Sequence, residues 1–308
     1  MAERWNWKRL TRADALVVGG ICLLLVVLAS ILAVKPREQS IRRLCGANLA
    51  QIGKTMLAYA NDYQGALPRA GGPTTTWGQV ARWDAPDRYK AFGLDATAYG
   101  ISGASISSSF YLLVKYYEAP PRLFVCRGDK GTKEFKESDL VASLGDFKLA
   151  DGWDFGPSTE AFKHCSYSYH IPYCLYPLTT SRDPNLAVAA DRNPYLKSPM
   201  ADARSLANFK PDTDAFRGTA EQACSGNAIA HDRNGQNVLF LDGRVAFEKR
   251  PYCGTDSDNI YLISMDIRRG SPLGIVPAPG ATVPANDRDS VLVHDPDVWS
   301  FGGLPARP

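Results

Sequence analysis

The feature that most constrains this chain is an uncharged run of 20 residues, Ala15 to Val34 (ALVVGGICLLLVVLASILAV). At about 1.5 Å of rise per residue, a helix of that length matches a hydrocarbon core of about 30 Å. A cleaved secretory signal is the alternative, but its apolar stretch is normally only about 7–15 residues. Lys35-Pro36-Arg37 follows the run here, with no small-residue cleavage site. The run therefore predicts a single-pass anchor in the inner (cytoplasmic) membrane, with the lipid bilayer as a partner. Basic residues flank it evenly, Arg4, Lys8, Arg9 and Arg12 before and Lys35, Arg37, Arg42 and Arg43 after. The positive-inside count is thus tied. Cysteines supply the orientation. Cys22 lies within the run, and Cys45, Cys126, Cys165, Cys174, Cys224 and Cys253 follow it. An even set without CxxC or CxxCH spacing fits disulfides in an oxidising compartment. This places the C-terminal part outside the cytoplasm. Cys165 and Cys174, nine apart, are the first pair expected to bridge.

The helical period continues past the run. Ile41, Leu44, Cys45, Leu49, Ile52, Met56 and Ala60 recur at three- and four-residue steps, so residues 14–63 read as one long helix with an amphipathic second half. Gly65 is placed to cap it, with Pro68 beyond. Loop composition dominates 66–105. Ser109–Tyr117 suits a short helix or a strand, whereas Arg122–Cys126, Ser166–Pro172 and Asn185–Ala190 suit strands. Asn237–Leu241 and Arg244–Phe247 flank Asp242-Gly243, a hairpin dipeptide of the type I′ kind. The organisation expected is 1–14 cytoplasmic, 15–34 transmembrane, 35–65 amphipathic helix, 66–270 an extracytoplasmic domain, and 271–308 a Pro/Gly-rich tail. Residues 1–43 carry the basic excess, and the remainder is slightly acidic, which argues against nucleic acid.

Three segments in order, CGANLAQIGKTMLAYANDYQGALP (Cys45–Pro68), FVCRGD (Phe124–Asp129) and HDRNGQNVLFLDGRV (His231–Val245), follow the apolar helix. In this combination the chain resembles bacterial pilin-like (pseudopilin) proteins that carry a prepilin-type N-terminal segment and a C-terminal processing-associated H-X9-DG region. The resemblance implies an α+β fold with a long N-terminal transmembrane and amphipathic helix packed on an antiparallel β-sheet, and a β-rich C-terminal region. It also implies a structural or accessory subunit of a type II secretion or type IV pilus-like assembly, packing through the N-terminal helix onto other copies or similar subunits. His231, Asp242 and Gly243 match the C-terminal motif, with ten intervening residues in place of nine. By the same match Asp14 takes the place of the family's N-terminal glutamate, Leu10 begins the mature chain and Arg9 stands where the family has glycine. Cleavage after Arg9 and a permanently uncleaved anchor both stay open. Gly19, Gly20, Ala29 and Ser30 offer small surfaces for helix association.

His231, Asp242 and Asp191 have the residue types of a metal or catalytic site but no diagnostic spacing, so hairpin and backbone roles are the reading adopted. Asp256 and Asp258 (TDSDN) resemble part of a calcium loop whose regular spacing is incomplete, leaving calcium as the single candidate cofactor. HExxH, GxSxG, P-loop and GxGxxG motifs are missing, so an enzyme is not expected. Trp153, Phe155, Tyr167, Tyr169 and Tyr173 form an aromatic group suited either to a core or to the ligand face of a membrane-tethered extracytoplasmic binding module for cell wall or polysaccharide on a pilin-derived anchor, the alternative function.

Overall fold

The computed structural model describes residues 12–94, 102–140, 145–199, 209–211, 224–280 and 282–299, with side chains of the first helix given from 13 to 27 and from 37 onward. Arg9 and Leu10 lie outside the described residues, as do the side chains of Ala29 and Ser30. The chain divides into two units, residues 1–41 and 42–308.

Helix α1 runs from Arg12 to Asp62. Among the described residues no helix is long and apolar enough to cross a membrane. The expected span at 15–34, the single-pass inner-membrane location and the architecture of a transmembrane helix packed on the sheet are corrected accordingly. A span needs about 20 consecutive apolar residues in one helix, and none is found among the described residues.

The second unit is a mixed fold around a five-stranded antiparallel sheet. Its elements in chain order are β1 (Thr76–Trp77), α2 (Arg88–Phe92), β2 (Gly103–Ala104), α3 (Ile106–Tyr117), β3 (Tyr167–His170), β4 (Ala187–Asp191), β5 (Gln236–Phe240), β6 (Val245–Glu248), β7 (Ile263–Ser264), β8 (Gly274–Ile275) and β9 (Leu292–Val293). The sheet order is β6-β5-β4-β3-β9. Strands β4 and β5 are buried at every residue because both faces are covered. On one face lies the second half of α1, whose Cys45, Leu49, Ile52, Met56 and Ala60 are all buried, as a 3.6-residue stripe requires. Gly46 and Gly53 let it approach β5, since a Cβ on Gly53 would stand 2.7 Å from Leu239 Cδ1. On the other face Val238 and Phe240 join Tyr252, Ile260, Tyr261 and Leu292 in a second core. The helix ends at Gly65, where φ is +84° and the amide donates to Ala60 O at 2.7 Å.

Two local expectations change, one open alternative is resolved, and one segment shows its ordered part. Arg122–Cys126 begins as a 3-10 turn, Pro121–Phe124, because Pro120-Pro121 fixes that backbone. Ser109–Tyr117 belongs to helix α3, which Ser105 caps by accepting from Ser108 N. The hairpin at Asp242-Gly243 is not type I′, because of the two only Gly243 has positive φ (+84°). Gly243 N donates to Phe240 O and Phe240 N to Arg244 O, both at 2.9 Å, a three-residue loop with a G1 bulge. Finally, the segment read as a tail supplies β9 and the buried run Val291–Asp295.

Candidate functional site

His231, Asp191 and Asn237 meet beneath α1, where β4 ends and β5 begins. Antiparallel pairing sets Ala190 against Val238, which leaves Asp191 beside Asn237. Asp191 Oδ2 accepts from Asn237 N at 2.7 Å and from Asn237 Nδ2 at 3.2 Å. A 3-10 turn, Ile229–His231, delivers His231 from below, and its Nε2 lies 3.1 Å from Asp191 Oδ2. Asp232 and Arg233 follow with φ of +52° and +63°, and Gly235 with +146°. This tight reversal is held by Asn227 and Gln236. Asn227 Nδ2 donates to Arg233 O and Lys249 O, while Gln236 Nε2 donates to Glu248 O and Arg250 O. These bonds hold the turn that carries His231.

Above the imidazole sits a disulfide between Cys45 of α1 and Cys126, with Cα atoms 5.3 Å apart. Cys126 Sγ is 3.8 Å from His231 Nε2 and receives the Gly128 amide at 3.4 Å. Phe247 packs edge-on against His231 at 5.9 Å, and the Arg42 guanidinium covers that ring at 4.5 Å. Cys45, Cys126, Asp191 and His231 are all essentially fully buried. Asp191 Oδ1 is buried without a hydrogen bond, whereas its backbone carbonyl accepts from Tyr261 Oη at 2.8 Å.

The next residue, Arg192, forms a buried pair with Asp129, Nε to Oδ2 at 2.9 Å. It also donates to Phe162 O and Cys165 O. Asp129 and Asn237 lie inside the segments Phe124–Asp129 and His231–Val245, but neither is assigned a site role from the sequence. The one available signal was adjacency, Arg192 to Asp191 and Asp129 to the Cys126 turn.

Other predicted residues are dispersed. Asp242 is in the exposed hairpin turn, where it accepts from Arg244 N at 2.9 Å and pairs with Arg244 Nε at 3.3 Å. It does not join His231. Asp14 sits in the exposed first turn of α1. The expected Cys165–Cys174 bridge is absent. Cys165 Sγ donates to Tyr167 O and Cys174 Sγ to Tyr176 O, and burial pushes the Cys165 thiol up to about 12. Cys224 and Cys253 are half-exposed, and Cys253 Sγ donates to Pro251 O. The two calcium candidates are already committed elsewhere. Asp256 pairs with Arg288 at 3.0 Å, and buried Asp258 accepts from Ser271 N and Ser290 N. Trp153, Phe155, Tyr167, Tyr169 and Tyr173 are all buried, so this aromatic group is core and presents no face.

The first unit carries a near-continuous run of exposed apolar residues. Leu16, Val17, Val18, Ile21 and Leu23 through Val27 are each 48–78% exposed. They point to every side of the helix. No family model, no curated protein and no solved structure matches this chain.

Proposed function

We propose that the chain is a pilin-like structural or accessory subunit of a type II secretion or type IV pilus-like assembly, joining other copies or similar subunits through the N-terminal part of α1. The observation that carries this reading is the apolar stretch from Leu16 to Val27, solvent-facing all round in the isolated chain. Contiguous exposed apolar surface of this kind is unfavourable until another surface covers it. Gly19 and Gly20 leave open space where a Cβ would stand, which lets a second helix approach closely. The ordered segments Cys45–Pro68, Phe124–Asp129 and His231–Val245 add the resemblance to pilin-like proteins.

Cys22 lies exposed within the stretch and serves as a native crosslinking handle. Mild oxidation of the full chain should give a covalent dimer through Cys22, lost in Cys22→Ser and strongly reduced in Leu24→Asp. A chain that sediments as a monomer across a concentration series, and that forms no Cys22 crosslink, would sink the assembly reading.

A further inference from the structure

We propose that reduction of the Cys45–Cys126 disulfide converts this cluster into a binding site for a thiophilic divalent cation of the Zn(II) class, with Cys45 Sγ, Cys126 Sγ and His231 Nε2 as ligands and the Asp191 carboxylate as the fourth donor. This inference is independent of the assembly reading, because every residue in it belongs to the second unit.

Three observations carry it. The first is distance. The two sulfurs and His231 Nε2 lie within 4.8 Å of one another. Metal bonds of about 2.3 Å to sulfur and about 2.0 Å to nitrogen or oxygen place tetrahedral neighbours roughly 3.3–3.8 Å apart. The Cys126 Sγ to His231 Nε2 separation is 3.8 Å and the His231 Nε2 to Asp191 Oδ2 separation is 3.1 Å. Those two edges therefore already have nearly the spacing of a tetrahedral site, and the sulfurs must separate to complete it.

The second is the state of Asp191. Its Oδ2 is fixed by two donors from Asn237, while Oδ1 is fully buried and makes no hydrogen bond. A buried carboxylate oxygen with no donor carries a desolvation cost that a cation beside it would offset.

The third is the support around the ligands. The Gly128 amide points at Cys126 Sγ, the kind of contact that stabilises a coordinating thiolate. The imidazole is wedged against Phe247. The ligands come from α1, the Cys126 turn, β4 and the His231 turn, so the cation would tie four separate segments together.

The chemistry balances as follows. A dithiol or phosphine reductant supplies two electrons to the S–S bond and is itself oxidised, and each sulfur takes up one proton. Binding of the cation then releases both thiol protons to solvent, and His231 coordinates as the neutral imidazole. Two thiolates and one carboxylate leave a site charge of −1 around a divalent ion. In the oxidised chain the sulfurs share a bond and cannot serve as two thiolate ligands.

Co(II) is the probe. The full chain carrying Cys22→Ser, reduced with a phosphine that does not chelate, is titrated with Co(II) and then Zn(II). One equivalent of Co(II) should give thiolate-to-cobalt charge-transfer absorption and tetrahedral d–d bands, both abolished by Zn(II). The oxidised chain should show neither. Cys126→Ser should lose the charge-transfer band, and Asp191→Asn should keep it while weakening affinity at least tenfold. Bands that survive Cys126→Ser would assign binding to other thiols and overturn the proposal. Because a variant can fail through misfolding, the reduced parent is also melted with and without Zn(II). A rise in its midpoint, absent from the oxidised chain, is expected. An unchanged midpoint, with no cobalt bands, would overturn the proposal.

Discussion

Replacing both Cys45 and Cys126 with alanine should cost the second unit about 4.5 kcal/mol. The disulfide joins residues 81 apart in sequence. In the chain-entropy account, closing a loop of that length removes roughly 15 cal/mol/K from the unfolded ensemble, which is about 4.5 kcal/mol at 25 °C. The bridge does more than shorten the unfolded chain, because it pins the buried stripe of α1 to the segment that leads into β3. Alanine is chosen over serine so that no hydroxyl is buried without a partner. In a domain of this size each kcal/mol shifts the melting midpoint by roughly 2–4 °C. The double variant should therefore melt about 9–18 °C below the oxidised parent. Both are measured with a chelator present, by fluorescence of the buried Trp77 and Trp153. A midpoint within about 2 °C of the parent would refute the reasoning. It would mean that the unfolded chain is already constrained elsewhere, or that Cys45 and Cys126 are not joined in the protein as isolated.

Three further outcomes test other parts of the structure. Gly235→Ala should destabilise by about 3 kcal/mol in urea denaturation, because φ is +146° there and a Cβ would collide with Glu248 O. Asp295→Ala should cost about 3 kcal/mol or more, since its carboxylate accepts from Ile106 N, Ser107 N and Trp77 Nε1; Trp77 emission should shift red with the melt. The third concerns pH. Burial holds His294 down at about 3, with Nε2 on Lys197 O and Nδ1 on Ser168 Oγ. Its unfolded form takes a proton below about 6.5, so the stability it contributes is lost as pH falls from about 6.5 towards 3. Buried Asp154, raised to about 7, acts in the opposite sense: its contribution is lost as pH rises from about 4 to 7. His294→Gln should flatten the acid limb of the melting profile. An unchanged difference between the midpoints at pH 7.5 and pH 5 would refute the assignment.

The sequence alone determined what depends on neighbours along the chain. The three- and four-residue recurrence from Cys45 to Ala60 placed the face of α1 that is buried. Gly65 marked its end, and the apolar runs at 185–190 and 237–241 marked β4 and β5. These signals are local, because helical period, turn conformation and strand length are set within a few residues. Which cysteines meet is not local. Cys165 and Cys174 are nine apart, yet each bonds to a nearby carbonyl, while Cys45 reaches Cys126 across 81 residues. Antiparallel pairing of β4 with β5 brought His231 to Asp191 and left Asp242 at the opposite end of the hairpin. Covering the sheet on both faces turned Tyr167 and Tyr169 into core. For the apolar run at 15–34, composition alone predicted a membrane span. Among the described residues no helix is long and apolar enough to provide one.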